Sequence, residues 1–290
     1  MKIRFAITGF AFFVIQCASA QDTIKLYKDL IPNNKDSLFG GNMPYLQVYY
    51  PENRSSIQSS IIIIPGGAYS FLANKEEGTV IAKEFASKGI TAFVLNYRLP
   101  NRNTMIDKSM GPIMDAQQAL KIIRENATKW NINPSQIGVI GFSAGGHLAS
   151  TLGTHFNRSY ISNPEDTNLR PDFMVLVYSL ISMEDSLSHT GSKISLLGME
   201  PTKTAVTEFS NELHVTEATP PTYLTHCEDD QVVDVKNSIV FYQALQKQGV
   251  SSELHLVPKG DHGFIQRIPI SEWLDPILKF LTKEGFYSNH

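Results

Sequence analysis

Along this chain, short runs rich in Ile, Val and Phe alternate with longer segments whose apolar residues recur every three or four positions. Few folds accommodate that pattern. The runs Ser60–Ile64, Thr91–Leu95, Ile137–Ile140, Phe173–Tyr178, Thr222–His226 and Glu253–Val257 predict strands. The segments Glu76–Ser87, Pro112–Lys129, Ala144–Thr154, Val235–Gln248 and Ser271–Thr282 predict helices, and Gly89 and Gly249 suit the position just past the first and fourth. Strands apolar at successive positions must be buried on both faces, so the sequence predicts an α/β fold, a mostly parallel central sheet with helices on both faces. Leu46-Gln47-Val48-Tyr49-Tyr50 predicts one further strand, antiparallel, at the sheet edge. From Ile181 to Pro220 the alternation lapses into Ser, Thr, Glu and Gly with two short apolar groups. A short cap-like insertion over about 181–220, carrying one or two short helices, is expected there; an unusually long αβ connection is the alternative.

The length of 290 residues, 42% of them hydrophobic, suits one large core and leaves no room for a second full domain. A net charge of −3 with no basic run lacks the electrostatic footprint of nucleic-acid binding, and that class is set aside. Met1-Lys2-Ile3-Arg4, the apolar stretch Phe5 to Ile15, and Ala18-Ser19-Ala20 have the order of a secretory signal peptide. Residues 1–20 are therefore expected to be removed near Ala20, leaving a single domain over 21–290 that is secreted or periplasmic. The apolar stretch is too short to span a hydrocarbon layer of ~30 Å, so no stable membrane insertion is expected. Val14-Ile15-Gln16 ahead of Cys17 lacks the small residue that lipid attachment prefers. Cleavage would leave Cys227 as the sole cysteine, which reads as a small buried hydrophobe.

Gly141-Phe142-Ser143-Ala144-Gly145 lies directly between a predicted strand and a predicted helix. A strand that turns abruptly into a helix around a serine, with glycines where side chains would clash, is the context of a nucleophile elbow; a phosphate-binding loop is the rival. Serine is a poor nucleophile at neutral pH and needs a base oriented by an acid, both later in the chain in this arrangement. His262, in Gly260-Asp261-His262-Gly263-Phe264 after the last predicted strand, fits the base. His226 and His255 lie within strands and read as structural, and His147 lies one helical turn past Ser143. The acid should follow Thr222–His226, where Glu228, Asp229 and Asp230 stand together. Asp230 is chosen for its place just before the chain re-enters the fold, with Asp229 assigned to the turn. An ester carbonyl under attack becomes an oxyanion that needs backbone N–H donors. Ala144, directly after Ser143, and Gly67 with Ala68 in Pro65-Gly66-Gly67-Ala68-Tyr69 are the candidate donors, and Gly66 serves the turn.

These motifs, with Asn96-Tyr97-Arg98-Leu99, Asp115-Ala116, Arg124, Gly146-His147, Ser210-Asn211-Glu212-Leu213 and Gln231-Val232-Val233, resemble the acetyl xylan esterase-like and lipase-like branch of the α/β-hydrolases. The resemblance covers nearly the whole expected mature chain and is close to carboxylesterases of bacterial polysaccharide degradation. It implies the triad Ser143, Asp230 and His262, an acetylated carbohydrate as substrate, and structural roles for Arg98 and Asp115. Ala68 stands where such enzymes often carry a third glycine, which bears on pocket shape more than on the donor. Tyr69 is expected to line the acyl pocket. No metal or organic cofactor is called for, since no His-Glu-x-x-His or clustered Cys/His pattern occurs. The partner expected is a small-molecule or polysaccharide ester, and the residues leave the oligomeric state open. A peptidase of prolyl-oligopeptidase type, a short-chain or long-chain lipase and a non-catalytic carbohydrate-binding module are the alternatives.

Overall fold

The computed structural model describes residues 22–35, 43–53 and 58–288. The expected leader, with Cys17, lies outside the described residues. Eight strands form one sheet: β1 Asp22–Lys25, β2 Tyr45–Tyr49, β3 Gln58–Ile64, β4 Thr91–Asn96, β5 Ile132–Phe142, β6 Met174–Val177, β7 Thr222–Cys227 and β8 Ser252–Val257. Their spatial order is β1-β2-β4-β3-β5-β6-β7-β8; β1 and β2 run antiparallel to their neighbours and the rest are parallel. This is the α/β-hydrolase fold.

Period-two alternation divides the core. Ile62, Ile64, Phe93, Leu95 and Leu176 face one layer with residues of α2 (Met110–Glu125), α4 (Ala144–Thr154) and α7 (Lys236–Lys247). Ile61, Ile63, Val94, Val175 and Val177 face the other with α1 (Val80–Ser87) and α8 (Ile270–Lys283). A polar substitution in β3 would therefore be buried whichever face it pointed to. A short α3 (Ala127–Trp130) closes the path into β5.

Two expectations are corrected. The Leu46–Tyr50 strand is not the sheet edge, because β1 pairs outside it, with Asp22 opposite Val48. β1 is four residues long and mostly exposed, too short and too polar to show a period. The first helix does not run unbroken from Glu76, since a π-helical turn over Asn74–Thr79 precedes α1.

The 181–220 segment carries α5 (Thr190–Leu197), α6 (Lys203–Glu208) and a 3₁₀ turn over Asn211–His214. Buried side chains tie it to the core. Asn237 Oδ1 accepts the N–H groups of Ile181 and Ser182 at 3.0 and 3.1 Å, and Asn211 Nδ2 donates to the His147 carbonyl at 3.1 Å and to Ser150 Oγ at 2.7 Å. Among the described residues, no helix is long and apolar enough to cross a membrane.

Candidate active site

Ser143 sits where β5 breaks into α4, with φ of 51° and ψ of −120°. A non-glycine residue at positive φ is strained and holds only where its surroundings fix it. Here its N–H donates to the Val177 carbonyl at 3.1 Å, and its carbonyl accepts Leu180 N–H at 3.2 Å. The flanking glycines are required by close approach: a Cβ on Gly141 would lie 2.4 Å from the Gly145 carbonyl oxygen, and one on Gly145 would lie 2.2 Å from that of Ile64.

The loop after β8 brings His262 over the serine. Its Nε2 lies 3.0 Å from Ser143 Oγ, and its Nδ1 lies 2.8 Å from Asp230 Oδ2. With Nδ1–H donating to the carboxylate, the Nε2 lone pair faces the hydroxyl, the geometry a general base needs. Asp230 Oδ1 also accepts the N–H groups of Val232 and Val233 at 2.8 and 2.9 Å. Burial on its own raises the Asp230 carboxyl, but the hydrogen bonds from His226, His262 and Val233 outweigh it and hold the group well below the usual carboxylate range. Asp229 does other work: its Oδ1 accepts Gly260 N–H at 3.0 Å and Asp261 N–H at 2.8 Å, anchoring the loop that carries His262.

The loop after β3 is strained in the same manner, with φ of 120° at Gly67, 53° at Ala68 and 58° at Tyr69. A Cβ on Gly67 would meet the Phe71 carbonyl oxygen at 2.2 Å. The Gly67 carbonyl accepts the N–H groups of Ser70 and Phe71. Among the described residues, the N–H groups of Gly67 and Ala68 have no protein acceptor. Ala144 opens α4, so its N–H has no intrahelical acceptor. Tyr69 is buried, and its hydroxyl donates to His147 Nδ1 at 2.8 Å while His147 Nε2 faces the Phe209 carbonyl at 2.8 Å. The same residue borders a cleft of about 430 Å³ with Ser70, Leu99, Asn101, Arg102 and Lys108.

Three groups at this site escape a reading of motifs. His226 reads as a satisfied strand histidine, and it is one, with Nδ1 2.8 Å from Ser238 Oγ; yet its Nε2 also lies 3.1 Å from Asp230 Oδ2 and 2.9 Å from the Val233 carbonyl. Glu77 and Tyr178 bond to each other at 2.8 Å beneath the site. A glutamate inside a helical pattern carries no sign of burial, and neighbouring Glu76 is its equal in sequence. Cys227 is fully buried, and burial pushes its thiol up to about 12. Apart from the triad, His155, Glu208 and His214 bring one possible metal-ligand atom each within 4.8 Å of one another, but each also has a protein partner.

With this geometry in view, comparison with known proteins places the chain. The BD-FAE family model matches residues 46–245. The chain belongs to the BD-FAE family. This BD-FAE chain is 38% identical over 220 residues to an acetylxylan esterase of Xylanibacter ruminicola, covering 74% of the chain and 42% of that protein. It is 35% identical over 225 residues to endo-1,4-beta-xylanase B of Butyrivibrio fibrisolvens, covering 77% of the chain and 35% of that protein. The chain thus spans less than half the length of these relatives. Among solved structures, the acetyl ester-xyloside bifunctional hydrolase from Caldicellulosiruptor lactoaceticus superposes with a TM-score of 0.81 at 36% identity, covering 92% of this chain and 97% of that one. Esterase 2 of Thermogutta terrifontis in its apo form, at 22% identity and a TM-score of 0.76, covers 94% and 98% and shares the fold.

Proposed function

We propose that this BD-FAE chain is a secreted serine carboxylic ester hydrolase that removes short acyl groups, acetyl foremost, from carbohydrate such as acetylated xylan. The observation that carries the reading is the hydrogen-bonded series Ser143 Oγ, His262 and Asp230, set beside a loop in which, among the described residues, the N–H groups of Gly67 and Ala68 have no protein acceptor. His262 takes the hydroxyl proton as Ser143 Oγ attacks the ester carbonyl. Asp230 holds the imidazole in the required tautomer and stabilises the imidazolium. The N–H groups of Gly67, Ala68 and Ala144 meet the oxyanion, each contributing a few kcal/mol of transition-state stabilisation. The C–O bond to the alcohol breaks as His262 returns the proton to the leaving oxygen, giving acyl-Ser143. Water, deprotonated by His262, then releases the carboxylate and regenerates the serine. Tyr69 and the cleft beside it form a wall for the substrate.

Support for a carbohydrate ester comes from the relatives, one an acetylxylan esterase and one an acetyl ester-xyloside bifunctional hydrolase. Support for export comes from the charged, apolar and small-residue order of residues 1–20. The test is hydrolysis of p-nitrophenyl acetate, butyrate and octanoate, and acetate release from acetylated xylan, by the wild type and Ser143→Ala. Acetate is expected to be cleaved fastest, xylan to be deacetylated, and Ser143→Ala to lose at least about 10⁴-fold in kcat. Preference for octanoate would replace this reading with a lipase. Silence on every ester, or an active Ser143→Ala, would overturn it.

A further inference from the structure

Glu77 takes no part in the series of Ser143, His262 and Asp230, yet its side chain is buried, at 6% exposure, directly below them. Its two oxygens go to different walls of the site. Oε2 accepts Gly66 N–H at 2.7 Å, and Oε1 accepts the Tyr178 hydroxyl at 2.8 Å. Gly66 begins the loop in which the next two N–H groups, those of Gly67 and Ala68, have no protein acceptor among the described residues. Tyr178 sets its ring edge-on to the His262 imidazole, with centroids 4.9 Å apart and planes at 62°. Its backbone φ of 37° is a strained value held by an N–H bond of 2.8 Å to the Thr225 carbonyl. One carboxylate therefore links the donor loop to the wall of the base.

The contact is tight on the serine side as well. A Cβ on Gly66 would lie 2.7 Å from the Phe142 carbonyl oxygen and 2.9 Å from both Glu77 Oε2 and Ser143 Cβ. The loop backbone, the carboxylate and the nucleophile thus share one packed junction. Glu77 reaches it from the π-helical turn Asn74–Thr79, an irregularity that recurs at functional sites. Burial raises the Glu77 carboxyl, opposed by its bonds to Gly66 and Tyr178 and by the nearby His262. Burying a carboxylate costs several kcal/mol, so a merely space-filling role would be served better by an apolar side chain.

We propose that Glu77 is a positioning residue for acyl transfer, fixing Gly66 so that the Gly67 and Ala68 N–H groups face the oxyanion, and fixing Tyr178 so that the His262 ring faces Ser143. This inference rests on the ester-hydrolase reading above. Its effect falls on the chemical steps rather than on substrate binding, because the oxyanion and the imidazolium develop only once the serine attacks. A glutamine can keep both contacts, its amide oxygen accepting Gly66 N–H and its amide N–H donating to Tyr178 Oη, whereas an alanine keeps neither.

The test is steady-state hydrolysis of p-nitrophenyl acetate by the wild type, Glu77→Ala, Glu77→Gln and Tyr178→Phe, with Ser143→Ala as the blank. Glu77→Ala is expected to lose roughly 10²-fold in kcat with KM within about threefold, the signature of a lost transition-state interaction. Glu77→Gln should recover at least about tenfold of that loss, and Tyr178→Phe should show a smaller loss of the same kind. Wild-type kcat in Glu77→Ala, a loss carried by KM, or no recovery in Glu77→Gln would overturn the proposal. Should Glu77→Ala fail to fold, Glu77→Gln and Tyr178→Phe still decide: a defect in kcat alone in Tyr178→Phe with near-wild-type Glu77→Gln is expected, and the reverse overturns it. A wild type silent on esters would sink the ester-hydrolase reading and this one together, while serine-dependent turnover indifferent to Glu77 would sink this one alone.

Discussion

Asp229 and Asp230 are adjacent and chemically identical, yet their oxygens meet different partners. Asp230 accepts from two imidazoles and two backbone N–H groups, while Asp229 ties down the loop that delivers one of those imidazoles. Replacing them should therefore produce different losses. Asp230→Asn, which favours the wrong His262 tautomer, is expected to lower kcat by about 10⁴-fold with little change in KM. Asp229→Asn should lower the midpoint of thermal unfolding and cost kcat far less; steady-state kinetics beside a melting curve measures both, and equal kcat losses would refute the division of labour. At Cys227, burial pushes the thiol up to about 12, so Ellman's reagent at pH 8 should react with it only after denaturant is added. Rapid labelling of the native protein would show that the thiol is accessible. At this scale the sequence was informative where a residue's place in chain order fixes its neighbours: Ser143 at a strand-to-helix turn, His262 after the last strand, Asp230 after β7. It was silent on Glu77 and on the reach of His226 toward Asp230, because those contacts depend on how distant segments pack. Nothing in a helical period tells which of two adjacent glutamates points inward.

At the scale of elements, burial on both faces made the central strands legible. Ile61 to Ile64 read as a buried strand, and β3 holds them between two helix layers. β1 and the π-helical turn were not legible, the first because four mostly exposed residues show no pattern and the second because a single irregular turn leaves helical spacing nearly intact. Structural roles were expected for Arg98, just past β4, and Asp115 in α2, and the pairing of the two side chains explains how they join these elements. Arg98 Nε and Nη2 donate to the Asp115 carboxylate at 2.8 to 3.1 Å, and Nη1 reaches the Pro32 carbonyl at 2.8 Å. Asp115 is fully buried, and burial raises its carboxyl against the pull of Arg98. Removing one partner of a buried pair leaves the other charge uncompensated, which costs about 3–5 kcal/mol. Asp115→Ala is accordingly expected to lower the unfolding free energy by that amount in urea titration, with kcat near wild type well below the transition. A change under about 1 kcal/mol would show that water replaces the lost carboxylate.

For the whole molecule, His147 connects parts that lie far apart in sequence. Its Nδ1 accepts the Tyr69 hydroxyl of the donor loop, its Nε2 faces the Phe209 carbonyl of the 181–220 segment, and its own carbonyl accepts Asn211 Nδ2. The imidazole is fully buried, and burial lowers it from 6.5 to about 4. A folded-state value below the unfolded one means that the unfolded chain binds the proton more readily. The contribution of neutral His147 to stability is thus complete above about pH 6.5 and is lost progressively as pH falls to about 4. That interval corresponds to about 3 kcal/mol. Asp230 acts lower still: its folded-state value is depressed, so its contribution is present above the ordinary carboxylate range near 3.8 and is lost only as pH falls below it. His155 and His189 are lowered as well, again first by burial, and add to the slope in the same direction. Urea unfolding between pH 7.5 and 4.5 is therefore expected to show stability falling with acid in the wild type. In His147→Gln, which keeps one polar contact and cannot take up a proton in this range, the curve should start lower and fall less steeply. Parallel curves for the two proteins would mean that protonation of His147 is not what couples the 181–220 segment and the donor loop to pH. A flatter curve would identify the imidazole joining those two parts as one source of acid sensitivity, beside His155, whose Nε2 also meets the segment at the Glu208 carbonyl at 3.0 Å.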